Sequence, residues 1–108
     1  MEYLKELWSV IEDRVKNPRE GSYTSSLASK GVSYVARKFG EESVELIVAS
    51  LRESDKRVVE EAADVVYHLM VLLAVRGIKF EDVVNELERR AKHRGGRDDS
   101  GNSELRNR

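Results

Sequence analysis

Apolar residues recur along this chain at three- and four-residue steps, a spacing that predicts helix nearly throughout. Leu4, Leu7, Trp8, Ile11 and Val15 mark a first amphipathic helix from about Glu2 to Lys16. Asn17-Pro18 ends it, because proline disfavours helix in the residue before it. A polar loop, PREGSYTSS, follows, with a short helical turn around Ser25–Lys30. Beyond Gly31 a second long pattern runs from about Val32 to Arg52. Ser54 is a good N-cap for a third, from about Asp55 to Arg76, and Gly77 stops it. A fourth runs from about Phe80 to His93. Residues 94–108 (RGGRDDSGNSELRNR) are almost wholly polar and read as a disordered tail. No alternating strand pattern competes. The expected fold class is all-α: an antiparallel bundle of four main helices, with one domain over residues 1–93 and the tail after it.

The third helix is apolar on nearly every side from Leu69 to Val75 (LMVLLAV), the mark of a buried helix. A chain of 108 residues is one domain, and four helices of this size do not easily wrap such a helix. A homodimer whose interface completes the core is therefore expected.

Composition narrows the chemistry. Absence of cysteine excludes a disulfide scaffold, a thiol nucleophile and a sulfur-ligated zinc site. Two histidines are too few for a multi-histidine centre. With 19 basic and 20 acidic residues there is no basic excess, so nucleic acid is not an expected partner. No run of 18 apolar residues predicts a membrane span. The acidic, amphipathic start lacks the pattern of a signal peptide, and a cytoplasmic protein is expected.

Two acidic motifs stand out. Glu41-Glu42-Ser43-Val44-Glu45 lies in the second helix and Glu60-Glu61-Ala62-Ala63-Asp64 in the third. Glu42 and Glu45 are three residues apart, as are Glu61 and Asp64, so each pair shares a helix face. Glu42 projects on the same side as Val35, Phe39 and Leu46, with Glu45 at the border of that sector. Glu61, Asp64 and His68 share a strip that continues into Val71 and Val75. Acids on apolar strips need partners, because a lone buried carboxylate is costly. Few bases share these faces: Lys38 is near one strip, Lys56 and Arg57 near the other. Glu-rich helices are commonly just solvated, but here a divalent cation is the reading the projection favours. All-oxygen ligands select Mg²⁺, with Mn²⁺ as a substitute. The Glu-x-x-His pairs of di-iron bundles are absent, as are an EF-hand loop and a Walker-type glycine loop. Mg²⁺ keeps waters and usually sits beside substrate phosphates, so phosphoanhydride or phosphate-ester chemistry is expected.

These residues also carry a resemblance. Glu41, Glu42 and Glu45, followed by Glu61 and Asp64, resemble the E-E-x-x-E … E-x-x-D signature of the MazG-like all-α nucleotide pyrophosphatases. Ser22-Tyr23-Thr24, Lys38-Phe39-Gly40-Glu41-Glu42, the run EEAADVVYHLMVLL and Arg76-Gly77-Ile78 resemble the phosphoribosyl-ATP pyrophosphatase family of histidine biosynthesis within it. The likeness spans about Leu4 to Arg90. Phe39 departs from a usually small aliphatic residue. The resemblance implies hydrolysis of phosphoribosyl-ATP to phosphoribosyl-AMP and pyrophosphate, by water attacking the α-phosphorus. It implies that Glu42, Glu45, Glu61 and Asp64 hold Mg²⁺. Glu41 is the candidate proton acceptor, and Lys38 either reaches a phosphate or serves as an ion-pair partner. Ser22 and Thr24 either bind substrate or cap a turn. His68 reads as a core histidine orienting Asp64. A house-cleaning nucleoside triphosphate pyrophosphatase and a non-enzymatic helical dimer module are the alternatives.

Overall fold

The computed structural model describes residues 2–93, so the tail expected at 94–108 lies outside the described residues. Every regular element among them is helical: α1 (Glu2–Lys16), α2 (Tyr23–Ser29), α3 (Val32–Arg52), α4 (Asp55–Val75) and α5 (Phe80–His93). No described helix is long and apolar enough to cross a membrane.

The four long helices fall where the periodicity puts them, and their ends have local causes. Ser54 caps α4 by accepting a hydrogen bond from the Arg57 amide at 3.3 Å. Gly77, at φ +75°, closes it. There the Gly77 amide donates to Ala74 O at 3.0 Å and the Ile78 amide to Leu73 O at 2.9 Å. That pair of bonds satisfies carbonyls a helix end otherwise leaves bare. The expected turn at Ser25–Lys30 is a helix that begins earlier, at Tyr23. Ser22 makes the difference, its hydroxyl accepting from the Ser25 amide at 3.1 Å. Gly31, at φ +91°, both ends α2 and starts α3: its amide donates to Ala28 O and its carbonyl accepts from Val35.

The chain divides into two units, Met1–Ile78 and Lys79–Arg108. In the first, α3 and α4 pack side by side as a hairpin joined only by Glu53 and Ser54, with α1 and α2 also packed on α4. The core is Ile11, Leu27, Val35, Ala49, Met70 and Val71. Ser25 staples α2 to the end of α1, donating to Arg14 O at 2.8 Å and accepting from the Arg19 amide at 3.0 Å. In the second unit, α5 is strongly amphipathic and buries none of its residues. Arg89 and then Arg90 grip Glu86 and hold its carboxyl down at about 2.

One expectation is relocated. The run Leu69–Val75 is buried or half-buried within the chain, so it does not supply the bare surface that suggested a partner. The exposed apolar face lies on α3 instead. Val44, Ile47, Val48 and Leu51 follow one another at helical spacing, with Val44 58 % and Leu51 76 % exposed. Val59 and Val66 of α4 are exposed as well.

Gly77→Ala forces a side chain into the left-handed region and should cost about 1–2 kcal/mol. A urea unfolding midpoint below that of the parent checks this. An unchanged midpoint would show that the α4 terminus does not depend on that backbone conformation.

Candidate metal centre

The α3–α4 hairpin brings three carboxylates together. Among the described residues, Glu42, Glu45 and Glu61 each offer an oxygen, and these oxygens lie within 4.8 Å of one another. Glu42 is only 7 % exposed and Glu61 4 %, whereas Glu45 sits at the open edge. The projection read from the sequence thus holds for these three. Asp64, one turn beyond Glu61, is exposed and stands outside the group.

Charge at the site is only partly balanced. Lys38 Nζ lies 3.5 Å from Glu42 Oε2 on the same helix. Burial pulls the Lys38 ammonium down, but Tyr23 and Glu42 outweigh it and leave it raised. On α4, Arg57 bonds Glu60 at 2.5 Å, Glu61, and Glu53 at 3.3 Å. These contacts raise its pKa further, Glu60 first. Two signs of unmet demand remain. The charge of Glu42, then burial, then Glu61 push the Glu45 carboxyl above its ordinary value. Glu61 Oε1 is buried without a hydrogen-bond partner. A buried orphan acceptor is rare in a folded protein and calls for a cation or a donor. A hard divalent ion fits this all-carboxylate set.

A second cluster borders the first. His68 is buried, and its Nδ1 lies 2.7 Å from Asp64 O. A carbonyl only accepts, so Nδ1 carries the proton and Nε2 of the neutral ring is an acceptor. The Tyr23 hydroxyl donates to that Nε2 at 3.4 Å. Thr24 Oγ1 is hydrogen-bonded to the Tyr67 hydroxyl, and the Tyr23 and Tyr67 rings stack at 6.1 Å. Burial raises the Tyr67 phenol. Ser22 and Thr24 are therefore both engaged structurally, as cap and as buried partner. Glu41 is exposed, with Arg37 Nε 3.9 Å away.

A sequence profile described as phosphoribosyl-ATP pyrophosphohydrolase matches residues 4–91. The chain belongs to that family. It is 55 % identical over 95 residues to a phosphoribosyl-ATP pyrophosphatase of Ignicoccus hospitalis, covering 88 % of this chain and 93 % of the relative. A phosphoribosyl-ATP pyrophosphatase of Metallosphaera sedula is 57 % identical over 89 residues (82 % and 96 %). One of Saccharolobus solfataricus is 53 % identical over 91 residues (84 % and 97 %).

The structure joins segments of this chain that are far apart in sequence. Ser22-Tyr23-Thr24 meets Tyr67-His68 through the Tyr23–His68 and Thr24–Tyr67 contacts. Tyr23 packs on Tyr67, and its hydroxyl also reaches His68. Arg57, read as near the Glu61 strip, is joined to it. Its places four residues before Glu61, three before Glu60 and four after Glu53 are the signal that it belongs to the acid cluster.

The raised Glu45 sets a pH dependence for the metal-free protein. Its charged form is disfavoured in the fold, so its stabilising contribution is full below the ordinary glutamate value and lost as pH rises through the raised one. Glu45→Gln should accordingly gain in Tm over the parent as pH rises through that window, and added Mg²⁺ should close the gap. Thermal melts in EDTA and in Mg²⁺ check this; parallel Tm profiles for the two proteins in EDTA would contradict it.

Proposed function

We propose that this chain hydrolyses phosphoribosyl-ATP to phosphoribosyl-AMP and pyrophosphate, a step of histidine biosynthesis, with Mg²⁺ as cofactor and Mn²⁺ as a substitute. The observation that carries this is the group Glu42, Glu45 and Glu61, with its orphan oxygen, in a chain of this family. Asp64 is the fourth proposed ligand, because it shares a face with Glu61 one turn away. When bound, the ion neutralises phosphate charge and stabilises the leaving diphosphate.

The chain's own residues do the rest. Water attacks the α-phosphorus, the bond to the β,γ-diphosphate breaks, and Glu41 takes the water's proton. Its exposure leaves it open to substrate and solvent. Lys38, paired with Glu42 at 3.5 Å, reaches a phosphate oxygen. Ser22 accepts one hydrogen bond in its cap, so its O–H is still free to donate to substrate. Thr24 acts through Tyr67 by fixing the segment that carries Ser22 and Tyr23. Residues 1–93 act as the pyrophosphohydrolase domain, 94–108 as a polar tail.

We place a second copy of the chain on the outer face of α3, giving an antiparallel four-helix arrangement from two hairpins. Val44, Ile47, Val48 and Leu51 form an apolar stripe there without cover in the single chain. Gly40 precedes it by one turn, and a Cβ built on Gly40 meets nothing within 4 Å. Glycine within a helix costs about 0.5–1 kcal/mol relative to alanine, and close approach of another backbone is one use of it.

Glu42→Gln and Asp64→Asn should keep the fold and lose at least about 100-fold in kcat/KM, at the upper end of what altered metal coordination costs. Pyrophosphate release from phosphoribosyl-ATP, ATP and a dNTP panel, with and without Mg²⁺, checks this. Preferential dNTP turnover would favour the house-cleaning reading, and full activity in either variant would remove that residue from the site. For the dimer, light scattering should give the mass of two chains for the parent and of one for Val44→Asp/Leu51→Asp. A parent that runs as one chain would refute the pairing.

A further inference from the structure

Acids and bases are nearly equal in number over the chain, yet Gly21 to Gly40 holds Lys30, Arg37 and Lys38 and no acid at all. The structure gathers two of these cations on one ring. Lys30 Nζ lies 4.7 Å from the centre of the Tyr34 ring, and Arg37 Cζ lies 5.3 Å from it. A ring face attracts a cation, but two cations on one ring repel each other. Their counter-charge is thin. Arg37 has Glu41 at 3.9 Å, a pair exposed at both ends and hence weak. Among the described residues no carboxylate is within ion-pair reach of Lys30. An anion lying between the two would relieve the repulsion.

The position of this pair relative to the acids is set by α3. Tyr34, Lys38, Glu41 and Glu45 follow at steps of four, three and four residues, so they form one stripe. At a rise of 1.5 Å per residue, Tyr34 is ~12 Å along the axis from Glu42 and ~16 Å from Glu45. Phosphoribosyl-ATP is anionic at both ends: a triphosphate at one, the 5′-phosphate of the second ribose at the other. With bonds of about 1.5 Å, two sugars and a purine hold those ends roughly 15 Å apart when extended. Cleavage requires the triphosphate at the carboxylate cluster. The far phosphate then falls at the Tyr34 end of the stripe, beside Lys30, with Arg37 reaching it from between the ring and Glu41.

We propose that Lys30 and Arg37, held on the Tyr34 ring, form the subsite for the terminal 5′-phosphate of the phosphoribosyl group. This rests on the reaction proposed above. A guanidinium and an ammonium suit a phosphate dianion through charge-assisted hydrogen bonds. The ring restricts both side chains before substrate arrives, which lowers the ordering cost of binding. ATP lacks the far phosphate, so this subsite separates phosphoribosyl-ATP from the nucleotide within it.

The test compares Lys30→Ala, Arg37→Ala and the double variant on phosphoribosyl-ATP and on ribosyl-ATP, which lacks the terminal phosphate. Both residues are exposed, so folding should survive. Each single change should raise KM for phosphoribosyl-ATP by about tenfold, as loss of one charged hydrogen bond does, and Lys30→Ala should leave kcat nearly unchanged. KM for ribosyl-ATP should be high in the parent and insensitive to either change. Lys30→Ala is the cleaner variant, since it releases no carboxylate. If the parent hydrolyses phosphoribosyl-ATP while Lys30→Ala keeps its KM, or if both substrates suffer equally, the subsite is wrong and the reaction stands. A parent that leaves phosphoribosyl-ATP intact overturns both.

Discussion

Repulsion among Glu42, Glu45 and Glu61 is the constraint on which the arrangement turns. Oxygens of three carboxylates stand within 4.8 Å of one another between two helices. Like charges this close repel, and burial of Glu42 and Glu61 limits the screening that water can supply. The two bases at the site relieve this only within a helix. Lys38 answers Glu42 on α3, and Arg57 answers Glu61 on α4. Neither base pairs with an acid of the other helix, so across the α3–α4 interface the acids still face acids. Burial of Val35 and Ala49 on α3 and of Met70 and Val71 on α4 holds the hairpin closed against that. A cation bound by both helices would turn the repelling contact into an attractive one, which couples metal affinity to hairpin stability.

The same economy explains the small helix. At seven residues α2 is too short to persist by its own propensity. Ser22 caps it, Ser25 ties it to α1, and Thr24 and Tyr23 tie it to α4. Its role is positional: it carries Tyr23 to His68, which lies one turn from Asp64. His68 in turn takes its proton arrangement from the Asp64 carbonyl, so a backbone group of α4 decides that Tyr23 donates.

Much of this was legible in the sequence because periodicity and terminal residues act locally. Ser54, Gly31 and Gly77 mark helix ends by conformational preference, and the projection of Glu42 into an apolar sector follows from 100° per residue. What escaped depends on side-chain reach or on distant partners. The start of α2 turned on one serine hydroxyl in a loop full of them. Arg57 and Lys56 read alike as bases near the Glu61 strip, and only side-chain reach shows three carboxylates converging on Arg57. Asp64 shares the strip of Glu61 and His68, yet it is exposed while they are buried, because depth across a helix face is set by the neighbouring helix rather than by angle alone. The apolar surface was assigned to Leu69–Val75, where residues are densest. Exposure instead belongs to Val44–Leu51, whose spacing is indistinguishable from that of a core face.

That second face constrains the first. On α3, Val35, Glu42 and Ala49 are buried, while Gly40, Val44, Ile47 and Leu51 point the opposite way. Glu41 and Glu45 lie on the flank between them. Turning α3 about its axis to bury more of the outer stripe would carry Glu42 away from Glu61 and dissolve the cluster. A helix that is apolar on two opposite sides has no such freedom once both are packed, since any rotation uncovers one as it covers the other. A partner on the outer face, as proposed above, would therefore do more than hide apolar area: it would fix the rotational setting of α3, and through it the spacing of the three carboxylates proposed to hold a metal ion.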